Sequence, residues 1–305
     1  MPKDLHELPK LRDSISYLYI EHAVIEQEDS SILVIREDGK IPVPVAMSTC
    51  LLLGPGTSIT HAAVKAAAEN GCLIVWCGEQ AARFYASGTG ETRSAENLLL
   101  QARLCMDPTA HLAVVRRMYE IRFPGVKTEG MTLQQIRGME GVRVKQAYRL
   151  ESKRTGVSWN ARNYKQTSWE ASDDINRALS AANAILYGVC HAAVVSLGFS
   201  PGLGFVHTGK QLSFVYDIAD LYKTETTIPA AFEAVKERAG DAEKQVRGYV
   251  RRRIQKMGVM KRIADDISWI FDVPFPEEQN NADMVGELWD EGESIPGGLN
   301  HGGKA

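Results

Sequence analysis

The sequence predicts an α+β protein in which a small N-terminal β domain precedes a larger all-α C-terminal domain. Short β-rich segments separated by turn residues crowd roughly the first 90 positions, and nothing strand-like recurs over about the next 180. That later stretch is punctuated instead by helix-capping signals. With 305 residues and 44% hydrophobic composition, the chain has room for two cores of ordinary size.

In chain order, Tyr17-Leu18-Tyr19-Ile20, Ile32-Leu33-Val34-Ile35 and Ile41-Pro42-Val43-Pro44 read as strands, the last two joined by a turn at Asp38-Gly39. Ser58 to Asn70 reads as a helix stopped at Gly71. Leu73-Ile74-Val75-Trp76 and Arg83-Phe84-Tyr85-Ala86 return to extended structure. Ser87-Gly88-Thr89-Gly90 breaks the pattern, so domains are expected at residues 1–90 and 91–273. In the second, Thr132 with Gln135 matches a capping box and opens a helix that stops at Thr155-Gly156. An Ala-rich helix follows Ser172-Asp173 and ends before Gly198 and Pro201. A third opens at Ser213, a fourth takes Pro229 as its first residue, and a fifth begins after Asp241. Past Pro274 and Pro276 the chain turns acidic and Gly-rich, so residues 274–305 are expected to form a mobile tail. Within it Met284, Val285, Leu288 and Trp289 space out one short apolar face, suited to docking on a partner or to folding back on the helical domain.

The formal charge of −3 conceals a segregation: residues 264–305 carry −9, leaving +6 on residues 1–263, of which 243–263 alone carry +7. Lys244, Arg247 and Arg251 recur at three- and four-residue steps on the fifth helix, a stripe that could follow a DNA backbone. A solvated helix face accounts for the same charges. No run of eighteen apolar residues occurs, and no apolar leader follows Met1-Pro2-Lys3-Asp4, so a cytoplasmic protein without a membrane partner is expected. Cys50, Cys72, Cys77, Cys105 and Cys190 show neither Cys-x-x-Cys nor zinc-ligand spacing and are expected to be reduced packing residues.

The chemistry-bearing residues lie in the C-terminal half. The helix from Ser213 to Lys223 is apolar or aromatic almost all round, which marks it as buried, yet Asp217 and Asp220 interrupt it one turn apart. Two ionised carboxylates there repel each other and lose hydration at a cost of several kcal/mol, so a cation is expected beside them unless arginines or helix N-termini supply the charge. Replacing Asp220 by alanine is expected to relieve repulsion and raise stability slightly. His207 sits just upstream in the Gly-rich stretch 202–210, where backbone and ligand can come close; its imidazole is either a metal ligand or a plain polar residue. Glu140 lies in Arg137-Gly-Met-Glu-Gly-Val-Arg143, a helix that accepts glycine at about 1 kcal/mol each. Small residues on both sides would let a backbone or a phosphate approach that carboxylate; an ordinary exposed glutamate is the plainer alternative.

Together with Gly56-Thr-Ser-Ile-Thr-His-Ala-Ala-Val, Val75-Trp-Cys-Gly, Trp159-Asn, Leu186-Tyr-Gly, Phe205-Val-His-Thr-Gly-Lys and Phe214-Val-Tyr-Asp-Ile-Ala-Asp, these residues resemble the CRISPR-associated integrases called Cas-one. The resemblance covers roughly residues 15–273 and is closest to subtype I-E members. It implies that Glu140, His207 and Asp220 are metal ligands, with Asp217 an essential neighbour. It implies a homodimer, with the N-terminal β domain in dimerisation, assembled on a small partner, Cas-two, to hold a short DNA duplex. It places Arg137, Tyr164, Trp169, Tyr187, Lys210 and Lys223 near the DNA and the active site. Where subtype members carry a wedge tyrosine, this chain reads Glu21-His22-Ala23. One imidazole among oxygen ligands accommodates Mn²⁺ readily, while abundance lets Mg²⁺ serve. The expected activity is metal-dependent insertion of spacer DNA into the CRISPR repeat by 3′-hydroxyl attack. A structure-selective DNA nuclease and a non-catalytic DNA-binding assembly subunit are the alternatives.

Overall fold

Burial in the first strands follows their place in two four-stranded sheets. The computed structural model describes residues 17–29, 31–44, 50–79, 84–88, 95–126, 128, 130–161, 174–237, 241–272, 287–290 and 293–296. The N-terminal elements are β1 (Tyr17–Ile20), β2 (Val24–Glu28), β3 (Ser31–Arg36), β4 (Gly39–Pro44), β5 (Cys50–Leu53), β6 (Ser58–Ile59), α1 (His61–Glu69), β7 (Leu73–Cys77) and β8 (Phe84–Gly88). One sheet runs β1-β5-β7-β8, the first three parallel and β8 antiparallel; the other runs β4-β3-β2-β6. Continuous burial of Cys50–Leu53 is what a parallel strand covered on both faces requires. Ile25, Ile32, Val34, Leu51 and Ile74 close one core against Ala63 and Ala67 of α1. Ser58–Ile59 pairs with Val24–Ile25 as a strand, so α1 starts later than the sequence predicts, with the Thr60 side chain accepting from Ala63 N.

From residue 95 to 272 every described element is a helix: α2 (Glu96–Met106), α3 (Pro108–Arg122), α4 (Leu133–Thr155), α5 (Asp174–Ser196), α6 (Ser213–Tyr222), α7 (Thr227–Glu237), α8 (Ala242–Lys256) and α9 (Val259–Phe271). The capping box at Thr132 and Gln135 is formed, and Gly156 ends α4 in the left-handed conformation. Pro229 sits inside the first turn of α7, not at its start. α2 and α3 escape the sequence reading; Asp107 separates them and caps α3 through Thr109 N and Ala110 N, both at 2.8 Å.

α5 is the axis of the helical core, packed by α6, α7, α8 and α9. It is long and apolar enough to cross a membrane, but 72% of its apolar stretch is buried inside the fold. Its C-terminal half also receives the first sheet, where Cys50, Leu52, Leu73, Val75 and Cys77 pack on Ala192. In the acidic tail, β9 (Glu287–Asp290) and β10 (Glu293–Pro296) form an antiparallel hairpin with Trp289 opposite Ser294. Leu288 and Trp289 therefore follow strand register, not the helical spacing suggested by sequence; Met284 and Val285 lie outside the described residues.

Candidate functional site

The loop between α5 and α6 carries His207, and one glycine makes its path possible. A Cβ at Gly204 would stand 2.2 Å from His207 O and 2.7 Å from Ser213 Cβ, so no other residue lets the loop fold back on the start of α6. Asp217 gathers the loop's N–H groups: Oδ2 accepts from Phe205 N (2.6 Å) and Val206 N (3.0 Å), and Oδ1 accepts from His207 N (2.8 Å). The same Oδ1 lies 2.7 Å from His207 Nδ1. An ionised carboxylate can only accept, which assigns the ring proton to Nδ1 and leaves Nε2 as the free nitrogen. That hydrogen bond, opposed by burial, raises the His207 pKa above the ordinary imidazole value.

α2 holds the other side of the loop. Asn97 Nδ2 donates to Leu197 O at 2.8 Å, and Gln101 Nε2 donates to Ser200 O and Leu203 O at 3.0 and 2.9 Å while its Oε1 accepts from Ser200 N at 2.7 Å. Cys105 Sγ lies 3.6 Å from Gly204 O, and the His111 ring nitrogens lie 3.0 Å from Cys105 O and 2.8 Å from Phe205 O. The sequence reading missed all four. Their trace in it is the four-residue spacing of Asn97, Gln101 and Cys105, which puts them on one helix face.

Glu140 of α4 and Asp220 of α6 meet through α3. Nη1 of Arg122 lies 2.6 Å from Glu140 Oε1 and 3.5 Å from Asp220 Oδ2, and Tyr119, one turn earlier, donates to Glu140 Oε2 at 2.7 Å. Burial and the bond to Glu140 push the Tyr119 phenol well above its ordinary pKa. Lys223 forms an ion pair with Asp220 Oδ1 and lies 5.0 Å from the Tyr187 ring centre. Burial lowers the Lys223 pKa, but the Asp220 carboxylate more than offsets this and holds it above the ordinary ammonium value. A cavity of about 10 Å³, room for roughly one water, opens beside Tyr119, Arg122, His207, Asp217 and Asp220.

Among the described residues no group of three His, Cys, Asp or Glu side chains stands in metal-ligand geometry. The donors nevertheless fit a hard divalent cation. Two carboxylates turn toward one positive nitrogen in a largely buried setting that already calls for a cation between them. Carboxylates with one imidazole suit Mg²⁺ or Mn²⁺. Asp217, with its side chain at 0% exposure and its oxygens given to the loop, supports this site without facing it as a ligand.

The remaining sequence candidates divide. Tyr187 and Lys223 border the site; Lys210 and Arg137 are exposed nearby, on the His207 loop and one turn before Glu140. Tyr164 and Trp169 lie outside the described residues. Lys244 is exposed, but Arg247 pairs with Glu79 at 3.1 Å and Arg251 stacks 5.4 Å from the Tyr19 ring centre, so two members of the basic stripe face the β region. A Cβ at Gly138 or Gly141 would meet nothing within 4 Å, so no backbone among the described residues uses the space beside Glu140.

A family model described as CRISPR associated protein Cas1 matches residues 16–124 and 126–251. The CRISPR-associated endonuclease Cas1 2 of Thermus thermophilus is 51% identical over 306 residues, spanning 99% of this chain and 94% of that protein. The solved TtCas1-DNA complex matches with a TM-score of 0.79 and 54% identity over 87% of this chain and 99% of that one. A casposase bound to integration product shares the fold, with a TM-score of 0.56 and 11% identity over 87% of this chain and 95% of that one.

Proposed function

The chain belongs to the Cas1 family of CRISPR-associated proteins, and on that premise we propose that it is a divalent-metal-dependent DNA integrase inserting spacer DNA into a repeat array. The observation that carries the proposal is the convergence of Glu140 and Asp220 on one cationic nitrogen beside the braced imidazole of His207. A relative named as an endonuclease and a relative solved with DNA support the substrate class. The reading extends to a subtype I-E protein of the cytoplasm, a homodimer joined through residues 1–90 and assembled with Cas-two, with catalysis in residues 91–273.

Glu140, His207 and Asp220 would hold the cation, Mg²⁺ or Mn²⁺. Bound there, it supplies charge for the non-bridging phosphate oxygens and for the attacking hydroxyl. The chain's own residues do the positioning. Tyr119 fixes the rotamer of Glu140, Asp217 fixes the loop and the His207 tautomer, and Lys223 holds Asp220 from its far oxygen. Lys210 and Arg137, both exposed, would meet the DNA backbone. No protein nucleophile is required: a 3′-hydroxyl of the spacer attacks and the repeat's phosphodiester is exchanged.

The name endonuclease carried by the relative favours a second reading, in which water attacks and strands are only cut. Incubating the protein and its Cas-two partner with a 3′-hydroxyl duplex and a repeat-bearing plasmid separates the two. Joined products in Mg²⁺ or Mn²⁺, absent with chelator and in His207→Ala, are expected. Cutting without joining would leave the nuclease, and joining in chelator would end the metal reading.

A further inference from the structure

We propose that Arg122 is a resident cation of the metal site: its guanidinium holds Glu140 and Asp220 together in the metal-free protein and withdraws when a divalent cation binds. The inference rests on the metal-site reading given above and deepens it.

The geometry is that of a substitute ion. A single nitrogen, Nη1, stands 2.6 Å from Glu140 Oε1 and 3.5 Å from Asp220 Oδ2, so it takes up the position between two carboxylates that a bridging metal would need. The two cannot be there together. The surroundings make some cation necessary: the Arg122, Glu140 and Asp220 side chains are only 9%, 23% and 13% exposed, and anionic oxygens so poorly hydrated repel one another without a counter-charge. Lys223 cannot fill this role, since it reaches Asp220 through the other oxygen, Oδ1.

The guanidinium is also badly used where it is. Arginine ordinarily grips a carboxylate with two parallel N–H donors, whereas here one nitrogen serves both carboxylates and Nε is buried with no acceptor among the described residues. A buried donor left unsatisfied marks an arrangement that another partner can displace. Release would let the planar fork meet a phosphate of the bound strand, a group it matches in shape and charge. Metal binding and phosphate binding would then be coupled through one side chain.

The test is Mn²⁺ binding to the full chain, followed by electron paramagnetic resonance of the free ion. Arg122→Gln is expected to bind Mn²⁺ roughly tenfold more tightly than the wild type, the size of one removed ionic competitor. Its melting temperature without metal should fall and recover on adding Mn²⁺, with Arg122→Lys intermediate in both. Equal or weaker Mn²⁺ binding by a folded Arg122→Gln protein would overturn the proposal. A second measurement needs no variant. In wild-type protein labelled with ¹⁵N at arginine side chains, the slow-rotating guanidinium signal of Arg122 should shift and lose its restraint as Mg²⁺ saturates. An unchanged signal at saturation would overturn it equally. Absence of any Mn²⁺ binding by the wild type would instead remove the metal-site reading and this inference with it, a result distinct from the other two.

Discussion

At Asp217 the two carboxylate oxygens take four donors, three backbone N–H groups and the His207 ring. Asparagine offers one acceptor oxygen and would turn its NH₂ toward donors. Asp217→Asn is therefore expected to lose about 2–3 kcal/mol in urea denaturation, the range for a charged hydrogen-bond acceptor. It should also abolish strand transfer, and hydrogen exchange at residues 205–207 should accelerate; unchanged protection there would refute the bracing role. Asp220 behaves differently from the sequence expectation. Its charge is already matched by Arg122 and Lys223, so alanine strands two cations where repulsion was expected to be relieved. Asp220→Ala should destabilise by about 2 kcal/mol and lose Mn²⁺ binding; a gain in stability would show that the pairing is not realised in solution. The aspartate pair and His207 were legible because they are local, separated by three residues and by ten. Arg122 was not, because nothing nearby distinguishes it among the 35 lysines and arginines of the chain, and its meaning arises where α3, α4 and α6 converge.

α4 was readable from its ends, since a capping box and a left-handed glycine are chemistry written in adjacent residues. α2 was not, as its N-terminus has no side-chain cap and its work is done by one face turned to a loop some hundred positions away. Gln101 is that face's centre, with 0% exposure and its amide spent on Ser200 and Leu203. Gln101→Leu keeps the volume and leaves two carbonyls and one N–H without partners, which should destabilise by about 3 kcal/mol. Because the loop carries His207, strand transfer should fall with it and exchange over residues 198–206 should rise. A variant of normal stability with a quiet loop would show that α2 merely passes by. α8 gives the converse lesson. Its charge periodicity was plain, but whether Arg247 and Arg251 meet DNA or protein depends on Glu79 and Tyr19, about 170 to 230 residues earlier in the chain.

At the scale of the whole molecule the β region is held to the helical body along α5, and His191 sits in that seam. Its ring stacks on Phe84 of β8 with centroids 3.5 Å apart, it is 8% exposed, and its Nδ1 is buried with no hydrogen-bond partner among the described residues. Burial pushes its pKa down to about 4 from an ordinary 6.5. A folded-state value below the unfolded one means that the stabilising contribution is complete above pH 6.5 and is lost as pH falls toward 4. At pH 5 the imidazole would be largely charged in the unfolded chain and neutral in the folded one, a loss of about 2 kcal/mol relative to neutral pH. Acid should therefore open the seam first: exchange in β7, β8 and the C-terminal half of α5 should rise at pH 5 before the α7–α8 pair responds. His191→Leu keeps an apolar filling and removes the titration, so its stability should vary less than the wild type between pH 7 and pH 5, by that same margin. Parallel pH–stability curves for the two proteins would mean that the seam does not depend on a neutral imidazole.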